Sequence, residues 1–332
     1  MPAGHSWPVR GEFDHQPVIG FYRVALQEAL RQRAPFGLPM RAILLYGTFR
    51  DADGNLYATL RKLGLDNAAP FALQTTVGRD RFGMNPDSAK AFQGWGVVES
   101  LEGDEHTYRN VEEGAGGRPF TFRRRRDGSE WTESDLLSLR GQLVGDAGLQ
   151  WYDPSSPGAY YAAEQYRASG VIGGTEVEGF FCFDQLYFAP GVTWFESPYF
   201  SSPPYLEVAW HTFGVEYEDG TIEAGQVFHG GRRLGFALIL GRDAPLIASR
   251  DVVAEIEVAE DGYPARLVYT IDGERWIWSA DPKGPMPDFA RGYPRGDLYR
   301  PSEGLFMREG ETRAPRVWWS FIDTFVDGRA KW

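Results

Sequence analysis

The dipeptide Asp-Gly recurs six times in this chain, at Asp53-Gly54, Asp127-Gly128, Asp219-Gly220, Asp261-Gly262, Asp272-Gly273 and Asp327-Gly328. Such a pair readily adopts the positive φ that a tight hairpin turn demands, and that turn suits the twist of the two antiparallel strands it joins. Most of these turns are flanked by alternating apolar and polar residues. Ala42 to Phe49 turns at Asp53-Gly54 and returns through Leu56 to Leu60. Val208 to Tyr217 turns at Asp219-Gly220 and returns through Ile222 to Phe228. Val252, Ala254, Ile256 and Val258 alternate with Glu255 and Glu257, and Trp276 and Trp278 share a face after Asp272-Gly273. Period two in an antiparallel setting predicts an all-β protein. The residue types agree, since 22 Phe, 16 Tyr and 11 Trp suit pleated, half-buried surfaces and 40 Gly suit turns.

Helical periodicity occurs in two places. Residues 18–33 carry Phe21, Ala25, Leu26, Ala29 and Leu30 at three-to-four spacing, which predicts a short N-terminal helix. A second candidate helix starts at the capping position Thr132 and covers Ser134 to Leu139. With neither βαβ alternation nor a helix bundle in view, the expected architecture is two stacked, lipocalin-like antiparallel β-barrels or sandwiches. One large jelly-roll sandwich is the alternative. The Pro- and Ser-rich segment from Asp153 to Gly158 divides the chain into an expected N-terminal β domain (1–155) with the leading helix and a C-terminal β domain (156–332). Ser197 to Tyr205 reads as a long aromatic loop, and Asp281 to Pro301 as an extended connection.

A net charge of −12 argues against a nucleic-acid partner or a polybasic membrane binder. The one basic cluster, Arg123 to Arg126, precedes a turn and is expected to be a solvated strand face. No stretch approaches the roughly 18 apolar residues of a spanning helix. Met1 to His15 contain no apolar leader region, so a cytoplasmic location is expected. The single cysteine, Cys182, has no partner for an internal disulfide and reads as a packed small hydrophobe. No pair of the five histidines has metal-ligand spacing, and no nucleotide or phosphate motif is present, so neither a metal nor a cofactor is expected.

Two regions carry candidate chemistry. If Asp219-Gly220 is a two-residue loop, His211 faces Phe228 and His229 faces Trp210, which separates the two histidines. One face of that hairpin then holds His211, Phe213, Val215, Ile222, Ala224, Gln226 and Phe228, an apolar wall with two polar groups. Such a wall suits either a small-molecule pocket or a buried core with one hydrogen-bonded histidine. The second region runs from Tyr160 to Phe188. Asp184 follows Phe180, Phe181 and Phe183, and Glu164 lies among Tyr160, Tyr161 and Tyr166. A carboxyl group in apolar company holds its proton toward neutrality. Asp184 is therefore the expected proton donor, His211 the second proton-handling group and Glu164 the reserve acid. A turn or cap role for Asp184 and an ion pair with Arg167 for Glu164 are the structural alternatives. Phe213, Gln226, Phe228, Tyr187 and Trp194 are the expected substrate contacts.

The run Tyr-x-x-Glu-Gln at 161–165, Ser169-Gly170, Val177-Glu178-Gly179, then aromatics and Asp184 resembles the two-domain lipocalin-like superfamily of carotenoid 1,2-hydratases (hydroxyneurosporene synthases). Glu164-Gln165, Gly170, Gly179 and Asp184 match its pattern. Gln185 stands where the pattern has His, and Tyr187-Phe188 where it has Trp-Gly. The resemblance implies two β-barrel-like halves with a ligand site between or inside them. It also implies cofactor-free hydratases and cyclases of terpenoid and polyketide-like molecules. The expected function is a cofactor-independent lyase, hydratase or cyclizing isomerase acting by acid/base chemistry on a bulky hydrophobic unsaturated small molecule. A non-catalytic carrier of a hydrophobic ligand is the alternative, and a carbohydrate-active β-sandwich the third reading.

Overall fold

The structure, a computed structural model, describes residues 5–6, 17–23, 34–64, 67–68, 71–85, 94–95, 97–110, 119–126, 128–154, 158–190, 208–230, 234–291 and 298–325. Among these residues the chain builds two antiparallel sheets. The first runs from Gly83–Met84 at one edge through Leu56–Leu63, Met40–Arg50, Thr175–Phe188, Ala159–Ile172, Leu137–Leu143 and Phe120–Arg124 to Val97–Glu102. The second orders Val252–Val258, Pro264–Ile271, Glu274–Pro285, Ser302–Arg308, Pro315–Phe325, Val208–Tyr217, Ile222–Gly230, Leu234–Gly241 and Pro245–Ser249. The fold is all-β with two barrel-like halves.

Three apolar clusters follow from period-two alternation. Leu45, Phe49, Trp131, Phe181 and Phe183 fill the curl of the first sheet. Phe213, Trp276, Trp278 and Phe306 fill the second. The third cluster, with Tyr46, Tyr161, Phe180, Trp210, Phe228 and Trp319, draws on both sheets and joins them face to face. Thr175–Phe188 is covered on both faces from Gly179 onward, which is why its sequence is nearly continuous in apolar residues. Each large side chain buried in this way contributes about 1.5–3 kcal/mol. The sheets approach closely at Gly214, where a Cβ would lie 2.5 Å from the Phe180 ring, so only glycine admits that ring.

The turns expected at Asp53-Gly54, Asp219-Gly220, Asp261-Gly262 and Asp272-Gly273 form, each with its glycine at positive φ. Several other expectations need correction. Val18–Arg23 is a strand paired with Ala147–Asp153, so the helix expected over 18–33 does not form there. Residues 24–33 lie outside the described set. The second expected helix is a hairpin. Gly128–Glu133 and Leu137–Leu143 pair through a turn with Ser134 at φ 53°, because Trp131 and Leu139 must both point into the first barrel. The segment 281–301 is not wholly extended, since Pro287–Arg291 forms a short helix. Residues 159–188 complete the first sheet, so the change of sheet falls after Phe188 rather than at 155/156. Finally, Arg124 points inward and is 2% exposed, while its neighbours Arg123 and Arg125 stay about half-exposed at 48% and 50%.

The most consequential correction concerns register. The 208–230 hairpin is closed by three residues, with Tyr217 N–H bonded to Thr221 O and Gly220 N–H to Tyr217 O. Gly220 takes φ 79°, as the third position of such a loop requires. His211 therefore faces Val227, and Trp210 faces Phe228. A slip of one residue exchanges the faces of the returning strand. Gln226 and Phe228 join Trp210 and Thr212 on the inter-sheet side. His211 and His229 share the opposite side, inside the second barrel.

Candidate active site between the sheets

Asp184 lies on the inter-sheet face of Thr175–Phe188, two residues from Cys182 on the same side, and is 2% exposed. Cys182 Sγ donates to its Oδ1 at 2.7 Å. The hydroxyls of Tyr161 and Tyr46 also donate to this carboxylate. The donors are themselves oriented. Trp210 Nε1 donates to Thr212 Oγ1 at 3.2 Å, which leaves the Thr212 hydroxyl to donate to Tyr46 OH at 2.9 Å. Gln226 Nε2 donates to Tyr161 OH, whose single proton is already directed to Asp184. Tyr46 and Cys182 come from the first sheet and Thr212, Trp210 and Gln226 from the second, so docking of the sheets assembles the network. Burial pushes the Asp184 carboxyl up to about 7, with the three donors opposing the rise.

A second acid shares this space. Asp323 follows Trp319 and Phe321 on the inter-sheet face of Pro315–Phe325 and accepts from Tyr299 OH. Burial raises it to about 7, one hydrogen bond from Tyr299 opposes that, and the charge of Asp184 adds to the rise. Two carboxyls in one apolar compartment cannot both ionise cheaply. Three donors favour the charged form of Asp184, against one for Asp323. Around them the aromatic walls are Tyr46 against Trp319 (5.6 Å between centroids), Tyr161 against Trp210 (4.9 Å) and Trp210 against Phe228 (5.3 Å). Further along the seam Glu303 is 1% exposed and accepts from Thr48 and from Ser320 N–H; burial pushes it up to about 8. Among the described residues of this region, the buried Gln165 Oε1, Gln226 Oε1 and Trp319 Nε1 have no hydrogen-bond partner.

Of the expected site residues, Asp184, Gln226 and Phe228 come together here. His211 does not. It faces Phe213, Tyr269 and Phe306 inside the second barrel, where Nε2 meets Ser320 Oγ at 2.7 Å. Burial drives its pKa down to about 3, so the ring is neutral near pH 7. Phe213 lies with it. Glu164 occupies the lumen of the first barrel, ion-paired with buried Arg124 rather than with Arg167, and accepts from Tyr166 OH at 2.5 Å. Tyr187 is on that first-barrel side as well, its ring tilted against Tyr160 at 5.3 Å. Trp194 lies outside the described residues. Among the described residues no group of three or more His, Cys, Asp or Glu is placed to hold a metal ion. No helix there is long and apolar enough to cross a membrane.

Asp323, Tyr46 and Tyr161 escaped the sequence reading. Asp323 carried a usable signal, since Trp319, Phe321, Asp323 and Phe325 alternate as one carboxyl in an aromatic row, the same pattern that marks Asp184. Tyr46 and Tyr161 carried none, because nothing local tells a phenol aimed at a carboxylate from one that merely packs.

No protein-family model matches the chain, and no curated protein matches it. Solved structures do. A putative AttH from Nitrosomonas europaea is 14% identical with a TM-score of 0.48, over 92% of this chain and 98% of that one. Kievitone hydratase from Nectria haematococca is 10% identical with a TM-score of 0.46, over 91% and 93%. CghA with Sch210972 is 10% identical with a TM-score of 0.47, over 86% and 89%. At such identity and superposition no activity passes from those proteins to this one.

Proposed function

We propose that this chain is a cofactor-independent lyase of the hydratase type, or a cyclizing isomerase, acting on a bulky unsaturated small molecule bound between the sheets. One observation carries the reading: two carboxyls, Asp184 and Asp323, both raised to about 7, share an aromatic compartment with no guanidinium of the described residues bonded to either. Environments that separate two such acids assign their roles. Asp323 is the general acid and Asp184 the general base, which reverses the role that sequence alone suggested for Asp184.

In a hydration, the Asp323 proton adds to one alkene carbon and leaves a cation at the other. A solvent water attacks that carbon and loses its proton to the Asp184 carboxylate. In an isomerisation, Asp184 instead removes a proton from carbon. Either way the pair ends with its proton on Asp184, and exchange with solvent restores it. The faces of Trp210, Trp319 and Tyr46 stabilise the passing positive charge. The unpaired oxygens of Gln165 and Gln226 and the unpaired Trp319 N–H would meet donors and acceptors on the substrate. They favour an oxygenated, polyketide-like molecule over a plain terpenoid hydrocarbon, since a hydrocarbon would leave all three unsatisfied.

The test is hydrogen exchange. A panel of hydroxylated polyenes incubated in deuterated water should gain solvent deuterium with the wild-type protein and not with Asp184→Asn or Asp323→Asn. Exchange that persists in both variants would sink the assignment. A ligand that copurifies in native mass spectra and is never converted would establish the second reading, a hydrophobic-ligand carrier.

A further inference from the structure

Among the described residues the first barrel contains two buried arginine–glutamate pairs, and they are completed differently. At one, Arg61 Nε donates to Glu133 Oε1 at 2.9 Å and Nη2 to Oε2, while Trp131 Nε1 adds a bond of 2.9 Å to the same carboxylate. Arg61 and Glu133 are 0% and 2% exposed, and no guanidinium nitrogen is left without a partner. At the other, Arg124 Nη2 reaches Glu164 Oε1, but Nε and Nη1 have no hydrogen-bond partner although the residue is 2% exposed. Native interiors seldom leave several donors of one buried cation unmet, because each is stripped of water without a replacement partner.

The surroundings of Arg124 differ too. Its guanidinium lies over the Phe183 ring at 4.5 Å, and Phe183 stacks with Phe122 at 5.2 Å and tilts against Tyr108 at 5.7 Å. The charges of Arg124 and Glu99 both act on the Tyr187 phenol, which contacts half-buried Tyr160. Glu99 is tied to His106 Nε2 at 2.7 Å and to Tyr108 OH at 3.0 Å, and its side chain is 26% exposed. Glu99 and Tyr160 at this end of the lumen are thus partly exposed, whereas Arg61 and Glu133 are fully buried. Charge is already balanced, with Glu164 on Arg124. A second anion would have to be buried beside two carboxylates, whereas a neutral oxygen acceptor would not.

We propose that the Arg124 end of the first barrel is a second ligand site, taking a neutral aromatic molecule through a carbonyl oxygen that accepts from the free guanidinium N–H groups. It is separate from the inter-sheet site, because Phe183 and Asp184 point to opposite faces of one strand. The aromatic body of the ligand would lie against Tyr187, Tyr160 and Tyr108.

Calorimetric titration of the whole chain with 4-hydroxyacetophenone, a neutral aryl ketone, tests the site. Saturable binding is expected to the wild type and equally to Asp184→Asn. Arg124→Lys keeps the charge opposite Glu164, and with it the fold, but removes the flat array of donors. It should weaken binding by about tenfold or more. A crystal of the complex should place the ketone oxygen on Arg124. No binding to the wild type, unchanged affinity in Arg124→Lys, loss of binding in Asp184→Asn alone, or a water molecule only at Nη1 would each overturn the proposal.

Discussion

Ala159–Ile172 and Thr175–Phe188 form one pair of strands with acids on both faces, and the two faces have become chemically different places. Inside the first barrel Glu164 has Arg124 for a neighbour, and further along Glu133 has Arg61. Between the sheets Asp184 has two phenols and a thiol, and Asp323 has one phenol. Burial is nearly complete for Glu133, Glu164 and Asp184 alike. The difference lies in the compensation. A guanidinium within bonding distance opposes the desolvation of the buried charge, though burial still raises the pKa of Glu133, and makes the carboxylate a structural strut. Neutral donors offset only part of the desolvation, so the carboxyl retains its proton toward neutrality and becomes able to exchange it.

Three experiments would break or sharpen that contrast. The largest effect should come from Arg61→Met, which leaves Glu133 buried without its cation. Loss of one partner of a buried pair costs about 3–5 kcal/mol, readable from denaturant unfolding. If Arg61→Met were neutral, the barrel pairs would not be struts.

The second concerns pH. The folded pKa of Asp184 and of Asp323 lies at about 7, above the ordinary value of 3.8. The folded state therefore binds more protons than the unfolded chain in that window. Stability from these groups is fully present below pH 4 and is lost as pH rises through about 7. Each tenfold difference in proton affinity between the folded and unfolded chain is worth about 1.4 kcal/mol. Asp184→Asn should reduce the fall in melting temperature between pH 5 and 8, so that the variant gains on the wild type toward alkaline pH. An unchanged pH slope in both Asp184→Asn and Asp323→Asn would show that neither acid is raised.

The smallest effect should be Arg123→Ala. It neighbours Arg124 in sequence but is 48% exposed and pairs only loosely with Glu105 and Glu130. It should change stability by no more than about 0.5 kcal/mol. A larger loss would mean that burial fails to separate the two arginines.

Much of the fold was legible because turns and alternation are local properties. Four of the six Asp-Gly turns fall among the described residues and all four reverse the chain with the glycine at positive φ, although Asp219-Gly220 closes with three residues rather than two. Asp184 was legible for the same reason, as a carboxyl within an aromatic run. One residue of register put Gln226 and Phe228 on the same face as His211 and Phe213, whereas they lie on the opposite one. The flanking pattern fits two-residue and three-residue closures alike, because both faces of that ribbon are buried and apolar on either pairing. The helix expected over 18–33 failed at its start because Val18–Arg23 has an open strand edge to pair with, a tertiary opportunity that periodicity cannot register.

Local chemistry in the sequence determined that the chain would be antiparallel β, where it would turn, and that Asp184 would sit in apolar company. Tertiary structure alone decided which buried acids met a guanidinium and which met only neutral donors. Arg124 lies 40 residues before Glu164, and Thr212 donates to Tyr46 across 166 residues and two sheets. A carboxyl's proton affinity depends on the charges and donors within a few ångströms, and those neighbours are chosen by how the sheets curl and dock.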